Sequence, residues 1–173
     1  MRKLIYLFSL PVMLLAVSCT KQIPDYGATS TVKMANGWWV TLYRAGVPEA
    51  GPVFFNTYNT SSNTDSLWVD AMYNFDANNH FQPDSVSFRC KAVVDLTNLT
   101  FSVTNADNDD YDGSSSYPAT VTLSNGKILP KAGHSKTGNI TDSIYMQATF
   151  PNVPGVTFTI AGTARTGIEK DDY

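Results

Sequence analysis

Cysteine and histidine, which between them carry much of nucleophilic catalysis and most zinc sites, occur only twice each in these 173 residues. No pair of them stands at ligand spacing, so a zinc site is not expected. Charge is also scarce. Lys, Arg, Asp and Glu make up 16% of the chain, and 12 cations against 15 anions leave a formal net charge of −3. No cluster of Lys and Arg is present to neutralise phosphates, which argues against a nucleic-acid partner. Helical spacing is missing over any useful length beyond residue 20, and there is no Gly-x-Ser-x-Gly elbow. These absences disfavour a helical bundle and the common α/β type of serine hydrolase.

What the chain does have begins at its first residue. Arg2 and Lys3 precede an apolar run at residues 4–17, which ends on Ser18 directly before Cys19. The run falls short of the ~20 residues a spanning helix needs, and no stop-transfer pattern follows. It resembles a bacterial lipoprotein signal, which is cut before the cysteine and leaves that thiol carrying a diacylglycerol. Residues 1–18 then form a signal peptide, Cys19 is the lipidation site and membrane anchor, and residues 19–36 are a tether. Residues 37–173 remain as a single domain, in keeping with roughly 100 to 200 residues per domain. Ala16 stands where such signals usually have Leu, and an ordinary secretory signal cut near Ala16 or Ser18 is the alternative. Thr20, rather than Asp, follows Cys19, as in lipoproteins not retained at the inner membrane. Lys21-Gln22-Ile23-Pro24 lacks the acidic run of surface-exported lipoproteins, so the expected location is the outer membrane, facing the periplasm. With Cys19 committed to lipid, Cys90 has no partner within the chain and reads as a small buried apolar residue.

The remainder alternates with period two. Strands are expected over residues 37–44, 53–60, 66–74, 86–95, 99–103, 119–123, 140–150 and 156–165. The residues Val86, Phe88, Cys90, Ala92 and Val94 share one parity there. Ser124-Asn125-Gly126-Lys127 carries the strongest hairpin signal, with Ile128 and Leu129 as a short return arm and residues 130–139 as a second loop. About eight strands with short turns predict an all-β, antiparallel barrel, with a sandwich as second choice. Eight strands leave an interior just wide enough for side chains or one small ligand.

Two resemblances follow from particular residues. Gly37-Trp38-Trp39 contains the Gly-x-Trp spacing that opens lipocalin-like barrels, and Arg165 stands where those barrels place a cation over the tryptophan. This resemblance implies a barrel closed by Gly37, Trp39 and Arg165, with the Trp39 indole plugging one end. The second rests on Gly37-Trp38-Trp39-Val40, Asn59-Thr60-Ser61, Asp65-Ser66-Leu67-Trp68, Asn125-Gly126-Lys127-Ile128, Asp142-Ser143-Ile144 and residues 162–167. Together these resemble a Bacteroidota lipoprotein family labelled lipid-binding putative hydrolase. That family implies a lipocalin-like, or calycin-like, barrel on a lipid-anchored protein. Its label implies an activity for which no catalytic position can be carried over.

The residues themselves favour binding over catalysis. Phe54, Trp68, Tyr73, Phe88, Phe101, Tyr145 and Phe158 come from several strands and are the candidate lining of a cavity for a small apolar molecule or lipid. A hydrolase would need His134 with Asp142 and either Ser135 or Ser143, since His80 and His134 are the only neutral-pH bases and each reads as a loop residue. A barrel filled by its own side chains, serving as a structural or interaction module, is the third possibility. No cofactor is implied. Asn108, Asp110, Asp112 and Gly113 imitate half of a calcium loop, but Ala119 stands where the bidentate Glu is required, so no metal is expected. Asp65-Ser66-Leu67, Asp84-Ser85-Val86 and Asp142-Ser143-Ile144 resemble O-glycosylation acceptors of exported Bacteroidota proteins, and equally read as strand-opening turns.

Overall fold

The computed structural model describes residues 29–62, 65–71, 87–113 and 117–173. Eight strands follow one another: β1 (Asn36–Arg44), β2 (Val47–Asn59), β3 (Ser66–Ala71), β4 (Phe88–Asp95), β5 (Thr100–Asp107), β6 (Thr120–His134), β7 (Ile140–Thr149) and β8 (Phe158–Ala164). Each pairs antiparallel with the next, and β8 pairs back onto β1, so the sheet closes into an all-β barrel. The physical cause is the alternation seen in the sequence. In β4, Phe88, Cys90 and Ala92 are buried while Arg89 and Lys91 point out. Likewise β7 buries Ile144, Met146 and Ala148. Closure leaves no unpaired sheet edge to attract other chains.

One end of the barrel, called the near end below, is where β1 begins and β8 finishes, with the β4–β5 and β6–β7 turns beside them. The far end carries the β1–β2 turn and the β5–β6 and β7–β8 links. Between the ends the interior is occupied by side chains. Trp38, Phe55, Leu67, Phe88, Leu123, Ile144, Met146 and Phe158 are all fully buried. A chain of ring contacts runs through them, from Phe55 to Phe88 (6.3 Å), Phe88 to Phe150 (5.6 Å) and Phe150 to Phe158 (5.7 Å).

The near end is sealed by Met34, Trp38 and Thr57. The Thr57 hydroxyl accepts the Trp38 indole N–H at 2.8 Å and the Asn36 amide at 3.3 Å, and it donates to the Met34 carbonyl. One hydroxyl thus satisfies the polar edge of a buried indole and fixes the turn that covers it. Thr57→Val keeps the shape and removes all three bonds. It should cost about 1–3 kcal/mol, because a buried donor is left without a partner. Urea unfolding with an unchanged m value is the measurement; an unaltered midpoint would show that the hydroxyl is dispensable.

Two turns differ from expectation. Asn125-Gly126 is no hairpin: β6 runs through it as one 15-residue strand, with register shifts between Ser124 and Lys127 and again between Leu129 and Gly133. Asn125 has φ +54 there and Gly126 lies against Phe101, whose ring would be 2.6 Å from any added Cβ. A bulge of this kind demands the same residues as a type I′ turn, since both call for positive φ beside a residue without a side chain. The true β6–β7 turn is tighter than the expected loop, closed by the Ser135 amide donating to the Asn139 carbonyl at 2.9 Å. Conversely, the β1–β2 hairpin turns on Ala45 and Gly46, φ +49 and +82, so β2 starts at Val47 rather than at residue 53.

Candidate functional site

A cleft of 670 Å³ opens on the outer wall toward the near end, across β4, β5, β6 and β7, with the Asn125-Gly126 bulge in its lining. Val93, Val94 and Tyr145 give it apolar surface, with the buried Phe101 beneath them, while Asp95, Ser102, Asn125 and Lys127 form its polar margin. β4 and β5 pair at this point through Val93–Ser102, Val94–Phe101 and Asp95–Thr100. Lys127 Nζ stands 5.0 Å above the Tyr145 ring, and Asn125 donates to Gln147 Oε1 at 2.7 Å. The size falls within the ~300–1,000 Å³ of small-molecule sites. Chemically the cleft offers an apolar bed beside one cation and one carboxylate, suited to an amphipathic molecule with a polar head.

The seven aromatic lining candidates divide between two sides of the wall. Phe88, Phe101 and Phe158 point inward, where they are buried among other core side chains rather than around a void. Phe54, Trp68 and Tyr145 have the opposite parity and stand on the outer face, so they do not line an interior with the other three. Tyr73 lies outside the described residues. Trp68 stacks on Tyr58 (6.3 Å) beneath Lys91 Nζ (4.7 Å). Beside them the Tyr58 hydroxyl donates to the buried Asp70 carboxylate at 3.1 Å. Burial, then the Asp70 charge, pushes the Tyr58 hydroxyl up to about 12, and burial likewise raises Asp70.

The expected closure residues are reassigned in the same way. The indole that plugs the barrel is Trp38, whereas Trp39 lies outside. Trp39 and Arg165 do meet, but through Asp172: Trp39 Nε1 donates to Oδ1 at 3.2 Å and Arg165 Nε donates to Oδ1 at 2.7 Å. That pairing holds the Asp172 carboxyl below its ordinary range and raises the guanidinium. The guanidinium lies over Phe54 at 5.8 Å, and Phe54 meets Trp39 edge-on at 5.5 Å. Gly37 is close beneath, its carbonyl accepting the Arg165 amide at 2.8 Å.

A second, smaller cleft of 340 Å³ lies on the outer face of β1 and β8, lined among others by Trp39, Tyr43, His134, Ser143 and Tyr173. It gathers two of the residues a hydrolase would need without wiring them together. The Ser143 hydroxyl donates to the Gly162 carbonyl at 2.8 Å, and Asp142 accepts the Lys131 amide at 2.8 Å. Among the described residues no hydrogen bond joins either to His134. Ser135 accepts the Asn139 amide at 3.1 Å instead, and His80 lies outside the described residues. The Cys90 thiol is buried, and burial followed by the Asp109 charge pushes it up to about 12, far from a reactive thiolate.

The acidic loop likewise has a structural use. Asn108 is buried, its Oδ1 accepting the Arg89 amide at 2.9 Å and its Nδ2 donating to the Pro118 carbonyl at 2.8 Å, while Asp110 pairs with Arg89 at 3.3 Å. No group of three or more His, Cys, Asp or Glu is placed to hold an ion among the described residues. Of the three Asp-Ser sites, Ser66 is bonded to Thr60 at 2.6 Å, Ser143 is in mid-sheet, and Asp84-Ser85 lies outside the described residues, as does Cys19.

Comparison with known proteins adds three findings. No curated protein matches the sequence. A crystal structure from Bacteroides ovatus, described as a structural-genomics protein of unknown function, shares 12% identity at a TM-score of 0.45; the match covers 80% of this chain and 43% of that one. This chain therefore spans less than half the length of that protein. The model of a family described as "Lipid-binding putative hydrolase" matches residues 23–169. On that match, which takes in every strand of the barrel, the chain belongs to the lipid-binding putative hydrolase family.

Proposed function

We propose that this protein is a lipoprotein, tethered through Cys19 to the periplasmic face of the outer membrane, whose barrel holds a small amphipathic molecule without transforming it. The observation that carries the binding site is the contrast between the two sides of the wall. The interior is taken up by buried aromatic and aliphatic side chains, Phe101 among them, while the outer cleft at Val93, Lys127 and Tyr145 stands open. The site is thus on the barrel's flank, not in its lumen. Family membership supports a lipid or lipid-like ligand. Against catalysis stands the commitment of Ser143 and Asp142 to backbone groups away from His134.

Native mass spectrometry of mildly extracted protein, with titration of palmitate, tests this. Val93 is 63% exposed, so Val93→Asp should leave folding intact. A carboxylate on the apolar bed should weaken palmitate binding about tenfold, the equivalent of ~1.4 kcal/mol. Equal affinity in the two proteins would remove the cleft as the site. Ester hydrolysis by the wild type that disappears in His134→Ala would establish the hydrolase instead. The packed interior also favours a second reading, a purely structural or interaction module, which stands if neither palmitate nor any co-purified amphiphile is retained.

A further inference from the structure

We propose that the barrel docks end-on against a lipid surface, its near end resting in the headgroups and its far end pointing away. The first observation is where the exposed apolar side chains lie. Nine large hydrophobic residues are exposed among the described residues, and only Val47 and Tyr111 belong to the far end. At or toward the near end, Val32 precedes β1, Val93 and Leu96 end β4 and open its turn, Ile140 begins β7, and Ile168 follows β8. Turns are ordinarily polar, and aliphatic side chains at the tips of four separate segments form a surface of the kind that meets a membrane or a partner.

Charge is divided along the same axis. Glu49, Asp107, Asp109, Asp110 and Asp112 lie at the far end, against Arg44 and Arg89, which are paired with Glu49 and Asp110. Lys33, Lys127, Lys131, Lys136 and Lys170 lie toward the near end, and the ion pairs among the described residues are made by arginines. The near end also carries Asp65, Asp95, Asp142, Glu169, Asp171 and Asp172, so that with its lysines and Arg165 it is about neutral, whereas the far end is net negative. Asp95 accepts the Thr97 and Asn98 amides, Asp142 accepts the Lys131 amide, Asp171 is buried and Asp172 binds Arg165. An anionic membrane repels the acidic far end and exerts no such repulsion on the neutral near end, so charge orients the barrel in the same sense as the apolar tips.

The third observation is where the described chain starts. Thr29 leads directly into the near end, and a strand of chain from residue 19 to residue 29 reaches at most about 35 Å when extended. A lipid on Cys19 would bring this end to the surface first. The proposal rests on the anchor reading for that delivery alone; the apolar tips and the charge division are independent of it. The amphiphile cleft, bounded by Asp95 and Thr100, opens at this same end, so a docked barrel would present its site to the lipid it binds.

The test uses the purified full-length lipoprotein on vesicles of phosphatidylethanolamine and phosphatidylglycerol that contain brominated lipid. Single thiol fluorophores are placed by Leu96→Cys, Ile140→Cys or Tyr111→Cys, and buried Cys90 is left unlabelled. Fluorescence at 96 and 140 should be quenched at least threefold more than at 111. Equal quenching at the two ends would overturn end-on docking. So would protection of 96 and 140 in vesicle-free solution by a concentration-dependent dimer, which would assign the surface to a second copy. Intact mass decides the anchor separately. A chain without the diacylglycerol increment ends that reading, and docking then stands or falls on whether the same tip probes are quenched when vesicles are added.

Discussion

Gly162→Ala should lower the stability of the barrel by about 3 kcal/mol, at the upper end of what overpacking costs. Gly162 pairs with Val40 on one side and Ile144 on the other. A Cβ there would overlap the Trp39 carbonyl oxygen and come within 2.7 Å of Val40 Cα. Both are backbone atoms, so no rotamer change relieves the overlap and the β1–β8 seam must part. The same substitution at Gly37 is the control. Its Cβ would meet the edge of the Phe54 ring at 3.0 Å, a side chain that can yield by a few tenths of an ångström. Urea midpoints should therefore fall far more for Gly162→Ala than for Gly37→Ala. Similar midpoints in both variants would mean that the seam tolerates a methyl group.

The second large effect separates adjacent tryptophans. Trp38→Ala should cost about 3–5 kcal/mol, as expected for removing a large buried aromatic, and it leaves Thr57 without its indole donor. Trp39→Ala loses edge contacts to Phe54 and Tyr173 at 5.5 and 5.6 Å and one bond to Asp172, on the outer surface. About 1 kcal/mol is the scale for such contacts. Thermal or urea unfolding of the two single variants measures the difference, and equal losses would place the plug elsewhere.

That pair also marks the limit of reading the chain unaided. Where one parity is apolar and the other polar, as at Phe88, Arg89, Cys90 and Lys91, the inward face is evident from alternation. Trp38-Trp39 and Phe54-Phe55 offer two aromatic residues in succession, and period two alone cannot say which points in. The outer face of this barrel carries aromatics under cations, with Arg165 over Phe54, Lys91 over Trp68 and Lys127 over Tyr145. Aromatic character therefore did not mark the interior, and three of the six described lining candidates lie outside. The Asn125-Gly126 bulge was hidden for a related reason, because local backbone demand is the same for a bulge and a turn. What distinguishes them is Phe101 on another strand. The outer cleft that this bulge helps to line had no local signature at all, although Lys127 beside Asn-Gly, followed later by Tyr145, supplies its chemistry.

The seam between β1 and β8 bears on how the chain is made and delivered. Residues such as Trp38 and Ala164 sit side by side although nearly the entire domain separates them along the chain. Their meeting closes the longest loop available, and non-local pairings of this type fold slowly. Until β8 is released from the ribosome, β1 has no partner on that side and β7 ends the sheet, so two sticky borders are open at once. A chain with this architecture spends its vulnerable interval before its last strand arrives, and a truncation that removes β8 prolongs that interval indefinitely.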